Sequence, residues 1–415
     1  MTHFDLIIIG SGVVGLTTAL AMAKNTSLSI AVLEENENKP VWHQNTTYHH
    51  RVSALSLASK YIFSHLGVWA SIEAKRISPY LKMQVWDELG SGQIQFDSQA
   101  LNQEALGYII EDNVMRSSLF EKASQFSQLA IIQPCKLNAL TQRDRLVELV
   151  TEDGQRFTTS LLIAADGAHS WVRRQAPFEL TTYPYHQTAI VATVTTERAH
   201  QHMARQQFLS TGPLAFLPLS IENQCSIVWS AEDHYANELL MQSEDAFSNG
   251  LMKWFSPIFG KIQLASERYH FPLSMRHATT YVKDKVVLVG DAAHTLHPLA
   301  GQGLNLGMLD AACLAEGMIK AINLNRSFAG NDVLRRYERW RKADNLIMLK
   351  AVGLLKKGFS NANPALRYVR NAALRFVDQH RLIKHTLAEY ALGCRADLPA
   401  MATKRGIQNP SLCSR

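Results

Sequence analysis

The sequence predicts an α/β fold in which a Rossmann-like domain is interleaved with a mostly antiparallel β-sheet domain and followed by C-terminal helices. Three observations carry this prediction. The N-terminus has a strand–turn–helix–strand pattern, a similar strand returns near residue 286, and short alternating β-formers fill the region between them. A chain of 415 residues can bury a sizeable core and form more than one lobe.

The N-terminal unit predicts a dinucleotide site. FDLIIIG is an apolar run typical of a parallel strand, VVGLTTALAMAK has helical periodicity, and LSIAVLEE forms the next strand. Gly10, Gly12 and Gly15 place G-x-G-x-x-G at the first turn, where glycines allow a tight turn and close approach to a pyrophosphate. Glu34 ends the second strand, where a carboxylate accepts hydrogen bonds from ribose hydroxyls. The alternative is a purely structural glycine turn.

Two further strand ends carry an acid. Asp166 follows an apolar strand in TSLLIAADGAHSWVRR, and Asp291 follows another in GDAAHTLHPLAGQGLN. Ligands of α/β sheets lie at such strand ends, although either acid alone is also a good helix cap. Asp291, His294 and His297 have D-x-x-H-x-x-H spacing, but the alanine pair between them indicates close packing and no acid or cysteine cluster supports them. We therefore expect no metal.

The middle of the chain predicts a second domain. Segments such as TAIVATVTT, LAFLPLS and CSIVWSAE alternate β-formers between Gly, Pro and Asn breaks, which is typical of an antiparallel sheet. After about residue 304 the chain is helical. We expect a discontinuous cofactor domain from residues 1–75, 100–180 and 281–330, a sheet domain from 76–99 and 181–280, and a helical region with a basic tail from 331–415.

Composition limits the class of protein. No apolar run reaches the roughly 18 residues of a membrane-spanning helix. The N-terminal strand lacks the basic region and cleavage site of a signal peptide. The five cysteines are scattered and never in C-x-x-C spacing, which argues against disulfides and zinc and favours a cytoplasmic location.

Charge is distributed unevenly along the chain. The formal net charge is +6, yet residues 331–415 hold 17 Lys and Arg against 6 Asp and Glu, a net +11. Such a tail favours an acidic surface, either nucleic acid or anionic lipid. In PALRYVRNAALRFV, an apolar helical face is formed by Leu366, Val369, Ala373, Phe376 and Val377. The polar side is formed by Arg367, Asn371 and Arg375. An ordinary helix packed on the core is the alternative to membrane-surface contact.

Three segments together resemble the flavoprotein aromatic hydroxylases of the para-hydroxybenzoate hydroxylase type. They are GSGVVG, DGAHSWVR and GDAAHTLHPLAGQGLN, in that order. The resemblance implies that both glycine loops bind opposite ends of one FAD. Because the later glycines have G-x-G-x-x-x-G spacing, they need not form a second dinucleotide site.

The resemblance also implies roles for individual residues. Glu34 would bind the adenosine ribose, Arg51 and Arg116 would lie along the ribityl-phosphate portion, and Asp166 would support the pyrophosphate region. Asp291 would bind a ribityl hydroxyl. The segment that wraps the isoalloxazine would run from Pro298 to Asn305 and include Gly301 and Gly303. The resemblance assigns no catalytic acid or base here.

Further segments narrow the resemblance to the ubiquinone-biosynthesis hydroxylases. RVSALSLAS, VWDELGSGQIQFD and IIEDNVMRSSL are similar to that family. ARQQF, LAFLPLS and CSIVWS resemble the 2-polyprenylphenol hydroxylase branch, whereas RRYERWRKADNLIM and GFSNANPALRYVRNAALR resemble the demethoxyubiquinone hydroxylase branch. We favour the first branch, because the segments that carry it fall in the domain expected to shape the substrate pocket.

This resemblance implies a reaction and its partners. The substrates would be a polyprenylated phenol and O₂, with NAD(P)H or another electron donor as reductant, and hydroxylation at ring position 5 would proceed through a flavin C4a-hydroperoxide. Nucleic acid is not expected as a partner. Contact with other ubiquinone-biosynthesis proteins, peripheral membrane association and homo-oligomerisation stay open. Alternatives are demethoxyubiquinone hydroxylation, hydroxylation of a small soluble aromatic, an NAD-dependent dehydrogenase and a non-catalytic flavin- or lipid-binding subunit.

Overall fold

A computed structural model gives the fold. It describes residues 1–44, 47–88, 92–143, 146–297, 301–359, 364–393 and 397–408. Of the predicted site residues, Pro298 lies outside these ranges.

The strands are numbered in chain order. They are β1 (Thr2–Ile9), β2 (Ile30–Leu33), β3 (Val52–Leu55), β4 (Ser78–Tyr80), β5 (Lys82–Asp87), β6 (Gln93–Asp97), β7 (Gly107–Glu111), β8 (Leu129–Ile132), β9 (Leu137–Gln142), β10 (Val147–Thr151), β11 (Arg156–Ala164), β12 (Leu180–Thr196), β13 (Met203–Leu209), β14 (Gly212–Pro218), β15 (Gln224–Glu232), β16 (Ile262–Leu264), β17 (Tyr269–Ala278), β18 (Val282–Lys283), β19 (Val286–Leu288) and β20 (His294–Thr295).

The helices are numbered in the same way. They are α1 (Val13–Asn25), α2 (Leu57–Leu66), α3 (Trp69–Lys75), α4 (Asp112–Ala123), α5 (Trp171–Gln175), α6 (Asp233–Met241), α7 (Glu244–Phe259), α8 (Gln302–Asn323), α9 (Asn331–Phe359), α10 (Pro364–Gln379), α11 (Arg381–Leu392) and α12 (Lys404–Gln408).

The first large sheet has a parallel centre. Its order is β18-β19-β11-β1-β2-β8, with β10 pairing β11 and β9 pairing β10. β1 pairs in parallel with both β2 and β11, and β19 extends the sheet in parallel beyond β11. The apolar run of β1 is explained by its position, because Leu6, Ile7 and Ile8 are fully buried between α-helical layers and neighbouring strands. This confirms the predicted α/β domain.

The second large sheet is mostly antiparallel, as predicted. Its order is β20-β17-β12-β15-β14-β13-β5-β6, with β16 pairing β12. The exception is β5, which lies parallel to β13. One face of this sheet packs on α6 and α7 through a buried aromatic cluster of Phe216, Trp229, Phe247, Phe255 and Phe259. A three-stranded sheet of order β3-β7-β4 completes the β structure.

The C-terminal helices cover part of the opposite face of the second sheet. Phe208 of β13 stacks on Phe359 of α9 with ring centroids 3.8 Å apart. Among the described helices, none combines the length and the apolar character that crossing a membrane requires.

The predicted amphipathic face of α10 is partly wrong. Arg370 and Asn371 are buried, and both donate to Asp87 Oδ2, at 2.9 and 3.0 Å. Asn371 Oδ1 also accepts from the Gly92 amide at 2.7 Å. On the predicted apolar face, Phe376 is exposed, whereas Val377 is partly buried against the core. A buried carboxylate needs polar partners, so α10 turns these two residues toward Asp87. The predicted Leu366, Arg367 and Val369 lie outside the side chains that the structure describes.

Candidate functional site

A cavity of about 1130 Å³ is lined by residues of both large sheets. At the first sheet it follows the carboxyl ends of β1, β2 and β11, where α/β folds bind ligands. The motifs predicted from the sequence, far apart along the chain, therefore meet at one place. The predicted site residues that line the cavity are Gly10, Gly12, Glu34, Arg51, Arg116, Asp166, Asp291, Gly301 and Gly303.

The three glycines of the first loop do different things. Gly10 has φ +103°, and a Cβ there would lie 2.6 Å from the Ala165 carbonyl oxygen. A Cβ on Gly15 would lie 2.0 Å from the Gly10 carbonyl oxygen, so Gly15 serves helix–strand packing and is not among the cavity-lining residues. Among the residues that the structure describes, none has an atom within 4 Å of the Cβ position of Gly12. It is the N-cap of α1 and forms no side-chain cap, so the first helical N–H groups are available to an anion.

Glu34 holds the glycine loop as well as lining the cavity. Its Oε2 accepts from Ser11 N at 2.7 Å and Ser11 Oγ at 2.8 Å, and its Oε1 accepts from Asn36. Burial raises the pKa of Glu34, but the hydrogen bonds from Asn36 and Ser11 outweigh burial and hold the pKa below its ordinary value. Glu34 is therefore an ionised acceptor at the end of β2, as the predicted ribose contact requires. Nearby, Arg116 Nε donates to the Ser11 carbonyl at 3.4 Å.

Asp166 combines the two roles that the sequence left open. Its Oδ2 accepts from Val172 N at 3.1 Å, so the side chain does bind the N-terminus of α5. Its Oδ1 is buried and has no hydrogen-bond partner in the described part of the chain. Burial raises the pKa of Asp166, against hydrogen bonds from Ser170 and Val172 that lower it. An orphaned acceptor on the cavity wall fits a ligand hydroxyl or amide donor.

Asp291 stands at the cavity end of a buried polar network. Burial raises its pKa, while His294, Arg51 and Arg276 act in the opposite direction. Behind it, His294 Nε2 lies 2.5 Å from Asp310 Oδ2, and the same oxygen accepts from Gly290 N at 3.1 Å.

A buried arginine completes this network. Arg341 Nε on α9 donates to Asp310 Oδ1 at 2.8 Å. Burial raises the pKa of Asp310, but His294 and Arg341 outweigh it and hold the pKa at about 2. Sequence reasoning missed both Asp310 and Arg341. The signal was an aspartate inside the apolar helical run GMLDAACLAEG, since an isolated acid in a buried helix needs a cationic partner.

The second glycine loop joins the cavity to α8. Gly301 has φ +59° and is the N-cap of α8 with no side-chain cap, so the helix directs its positive end toward the cavity. Gly303 has open space at its Cβ position. Asn305 is placed behind the loop and is not among the cavity-lining residues. Its amide binds Ala54 O, Ser56 N, Ser59 Oγ and Gly301 O at 2.9 to 3.1 Å. Asn305 thus fixes the loop instead of facing the cavity.

His297 ties the loop to the second sheet. Its Nε2 lies 3.1 Å from Gln187 Oε1 on β12, and Tyr185 packs edge-on against its ring. Burial lowers the pKa of His297 to about 3, so the ring is neutral at physiological pH. His294 is thus paired with Asp310, and His297 with Gln187. Within the described ranges no three metal-ligating side chains come together.

These features fit FAD. The cavity has an uncapped helix N-terminus at each glycine loop, an ionised acceptor in Glu34, an orphaned acceptor in Asp166 and the predicted arginines Arg51 and Arg116 in its lining. Uncapped helix N-termini and guanidinium groups favour phosphate oxygens, and carboxylates favour ribose and ribityl hydroxyls.

Sequence comparison agrees with this fit. The family described as "FAD binding domain" matches residues 3–347. The chain is 35% identical to the 3-demethoxyubiquinol 3-hydroxylase of Escherichia coli K12 over 94% of this chain and 98% of that protein. It is 31% identical to the ubiquinone biosynthesis monooxygenase COQ6 of Xenopus tropicalis, covering 94% and 93%. It is 32% identical to the ubiquinone hydroxylase UbiL of Rhodospirillum rubrum, covering 94% and 89%.

Solved structures share the fold at lower identity. The p-nitrophenol 4-monooxygenase PnpA of Pseudomonas putida DLL-E4 superposes with a TM-score of 0.75 at 19% identity, covering 95% of this chain and all of that one. PqsL of Pseudomonas aeruginosa, described as "a probable FAD-dependent monooxygenase", gives a TM-score of 0.76 at 19% identity, covering 90% of this chain and all of that one. The chain is an FAD-dependent monooxygenase, and it belongs to the FAD-binding family that contains the hydroxylases of ubiquinone biosynthesis.

Proposed function

We propose that this monooxygenase hydroxylates the ring of a demethoxyubiquinol-type substrate, a quinol that carries a polyprenyl chain. The observation that carries the proposal is the end-to-end similarity to the E. coli 3-demethoxyubiquinol 3-hydroxylase, at 35% identity. The sequence segments LAFLPLS and CSIVWS favoured the 2-polyprenylphenol branch instead. The end-to-end similarity supports the alternative at least as well, because it includes the helical region as well as the substrate sheet. Hydroxylation of a 2-polyprenylphenol at position 5 is therefore the second candidate.

The cavity suits a flat ring with an apolar tail. Opposite the glycine loops, its wall is formed by apolar side chains of the second sheet, which include Met83, Ala204, Ala215 and Val228. Small alanines on adjacent strands leave room for an aromatic ring, and the apolar neighbours favour burial of prenyl carbon atoms.

The protein contributes position, charge and exclusion of water. FAD, when bound and reduced by two electrons from an electron donor, would activate O₂, so that one oxygen atom enters a ring C–H bond and the other leaves as water. The positive end of α8 at Gly301 favours negative charge at that end of the cavity. The pair His294–Asp310 and the contact of His297 with Gln187 fix the segment between the two domains. A rigid segment of this kind holds a ring in one orientation.

A deletion strain tests the substrate. If the proposal is right, cells lacking the protein accumulate the quinone that lacks one methoxy group, and the purified protein restores hydroxylation with one labelled atom from ¹⁸O₂. Accumulation of the prenylphenol that lacks its hydroxyl would move the protein to the second candidate. Unchanged quinone content, in a strain with no second hydroxylase, would remove the protein from this pathway.

A membrane surface is the expected source of such a substrate, and we propose that the C-terminal helices contact it. Leu354 of α9, Tyr368 of α10 and Leu382 of α11 are 71%, 79% and 84% exposed. Helices α9 and α11 both pack on α10, so these residues belong to one helical unit. The same region carries the net charge of +11, which favours anionic lipid. Arg370 takes no part in this contact, because it is buried against Asp87.

A further inference from the structure

Gln206 is the larger of two polar side chains, with Ser230, in the otherwise apolar wall that the second sheet gives to the cavity. Gln206 lies on β13, directly opposite Ala215 of β14, with Ala204 two residues before it on the same face. Ala215 in turn pairs with Val228 of β15. The cavity-lining residues on this face of the sheet are Met83, Ala204, Gln206, Pro213, Ala215, Leu217, Val228 and Ser230.

Gln206 lines the cavity, and its side-chain amide is not bound within the described part of the protein. The residue is only 8% exposed, yet its side chain forms no hydrogen bond to any residue that the structure describes. By contrast, Gln187 on β12 is equally buried but binds His297. Because Gln206 borders the cavity, a ligand that fills the cavity displaces water from the amide and has to replace the hydrogen bonds of that water.

The wall around Gln206 carries no charge. The cavity-lining residues of β5, β13, β14 and β15 include no ionisable side chain, and Ser230 is the other polar one. The wall therefore offers no counter-charge to a ligand group at Gln206. Such a group is neutral, or is an anion that accepts a hydrogen bond from the amide N–H. An amide both donates and accepts, so it can bind a ring hydroxyl in its neutral form through Oε1 and in its ionised form through Nε2.

We propose that Gln206 binds a ring hydroxyl of the aromatic substrate and thereby sets which edge of the ring faces the flavin loop. This inference takes the identity of the aromatic ring from the proposed function. The hydrogen bond to Gln206 is inferred from the cavity wall alone. The alanines beside Gln206 leave space for the ring, while the amide supplies the hydrogen-bonding group that an otherwise apolar wall lacks. A hydroxyl whose partner is a buried amide is distinguished sharply from an ether, because the methylated oxygen can no longer donate and its methyl group needs space.

Two ligands and three proteins test the contact. The ligands are a demethoxyubiquinol analogue with one prenyl unit and the same compound with its ring hydroxyls methylated, which is not a substrate. Binding to the holoenzyme is measured by the change in flavin absorbance. The proteins are the unaltered chain, Gln206→Leu, and Gln207→Leu as the matched control. Gln207 is the next residue of β13, is also buried, and faces away from the cavity.

The expected result is a loss of discrimination. The unaltered protein and Gln207→Leu should bind the free hydroxyl about tenfold more tightly than the methylated compound, and Gln206→Leu should lose most of that ratio. Flavin content equal to that of the unaltered protein shows that each variant is folded. If Gln206→Leu fails to fold, Gln206→Met is measured instead.

The outcomes separate this inference from the proposed function. The role of Gln206 is overturned if Gln206→Leu still prefers the analogue with free hydroxyls over the methylated compound, or if the unaltered protein shows no such preference. This holds even if the analogue is hydroxylated. Discrimination that is lost only in Gln206→Leu supports the role of Gln206, even if the analogue is not hydroxylated and the proposed reaction fails.

Discussion

His294 Nε2 and Asp310 Oδ2 lie 2.5 Å apart, and both side chains are fully buried. Asp310 also accepts hydrogen bonds from Gly290 N and Arg341 Nε. One carboxylate therefore connects the end of strand β19, the loop that carries Asp291 and the helix α9. Buried ion pairs contribute less than their charge suggests, but breaking one leaves a desolvated charge behind. The integrity of the cofactor loop therefore depends on a residue that does not touch the cavity.

The first prediction concerns that carboxylate. Asp310→Asn should lower the free energy of unfolding by about 3 kcal/mol, because the buried Arg341 Nε and His294 Nε2 would lose their shared carboxylate and Arg341 would keep Asp344 as its anion. Urea unfolding of the flavin-free protein measures the change. Asp332→Asn is the matched control, since Asp332 pairs with Arg326 at an exposed site and should cost at most about 1 kcal/mol. Equal losses in the two variants would contradict the role of the buried pair.

The second prediction concerns pH. His297 has a pKa of about 3 in the folded protein, whereas an unfolded histidine titrates near its model value of 6.5. Below about pH 6.5 the unfolded chain therefore binds a proton that the folded chain does not. Stability is lost as pH falls, by up to about 1.4 kcal/mol per pH unit from this group.

A variant isolates this histidine. His297→Gln should reduce the slope of unfolding free energy against pH between pH 6 and pH 4.5. A residual slope is expected from His277, whose pKa burial lowers to about 4. His43→Gln, at an exposed site distant from residue 297 in the sequence, serves as the control. An unchanged slope in His297→Gln would show that His297 is protonated in the folded protein.

The third prediction separates the glycines of the first loop. Gly12→Ala should leave the free energy of unfolding nearly unchanged, because no atom of the described residues lies within 4 Å of the added Cβ and φ is −69°. It should nevertheless lower the affinity for FAD, since the methyl group enters the cavity. Gly15→Ala should destabilise the protein itself, because its Cβ would lie 2.0 Å from the Gly10 carbonyl oxygen.

Calorimetry and flavin titration measure the two properties separately. A Gly12→Ala protein with full flavin affinity would remove Gly12 from the cofactor site. A Gly15→Ala protein of normal stability would contradict the close packing of α1 against β1.

The fourth prediction concerns the membrane surface. Leu354→Ser combined with Leu382→Ser should weaken binding to vesicles of phosphatidylglycerol and phosphatidylcholine by about tenfold, because two exposed leucines would no longer enter the lipid. Met241→Ser is the matched control, since Met241 on α6 is 87% exposed but lies outside the C-terminal helices. Vesicle flotation gives the bound fraction. Absence of binding by the unaltered protein, or equal loss in the control, would contradict the proposed surface.

Local sequence patterns predicted much of the fold and part of the site. The strand β1 and the glycine loop at residues 10, 12 and 15 are defined by residues close together in the sequence. The local pattern is therefore sufficient to predict both. Arg341 could not be assigned, because its partner Asp310 lies 31 residues away and only the packing of α9 on α8 brings them together. For the same reason, nothing in the sequence of α10 indicated that Asp87 would turn Arg370 inward. Gln206 was not singled out either, because alternation along β13 does not say which face borders a cavity.

The parallel pairing of β5 with β13 has a consequence for biosynthesis. During synthesis, residues 82–87 cannot pair with β13 until residues 203–208 have been made. The buried carboxylate of Asp87 cannot form its ion pair with Arg370 until that residue has been made. Likewise, α1 packs on α8, which is made almost 300 residues later. A nascent chain leaving the ribosome therefore exposes unpaired strand edges until β20 has emerged, and an unpacked face of α1 until α8 has emerged. Chaperone binding to unfinished chains should accordingly continue until α8 has emerged.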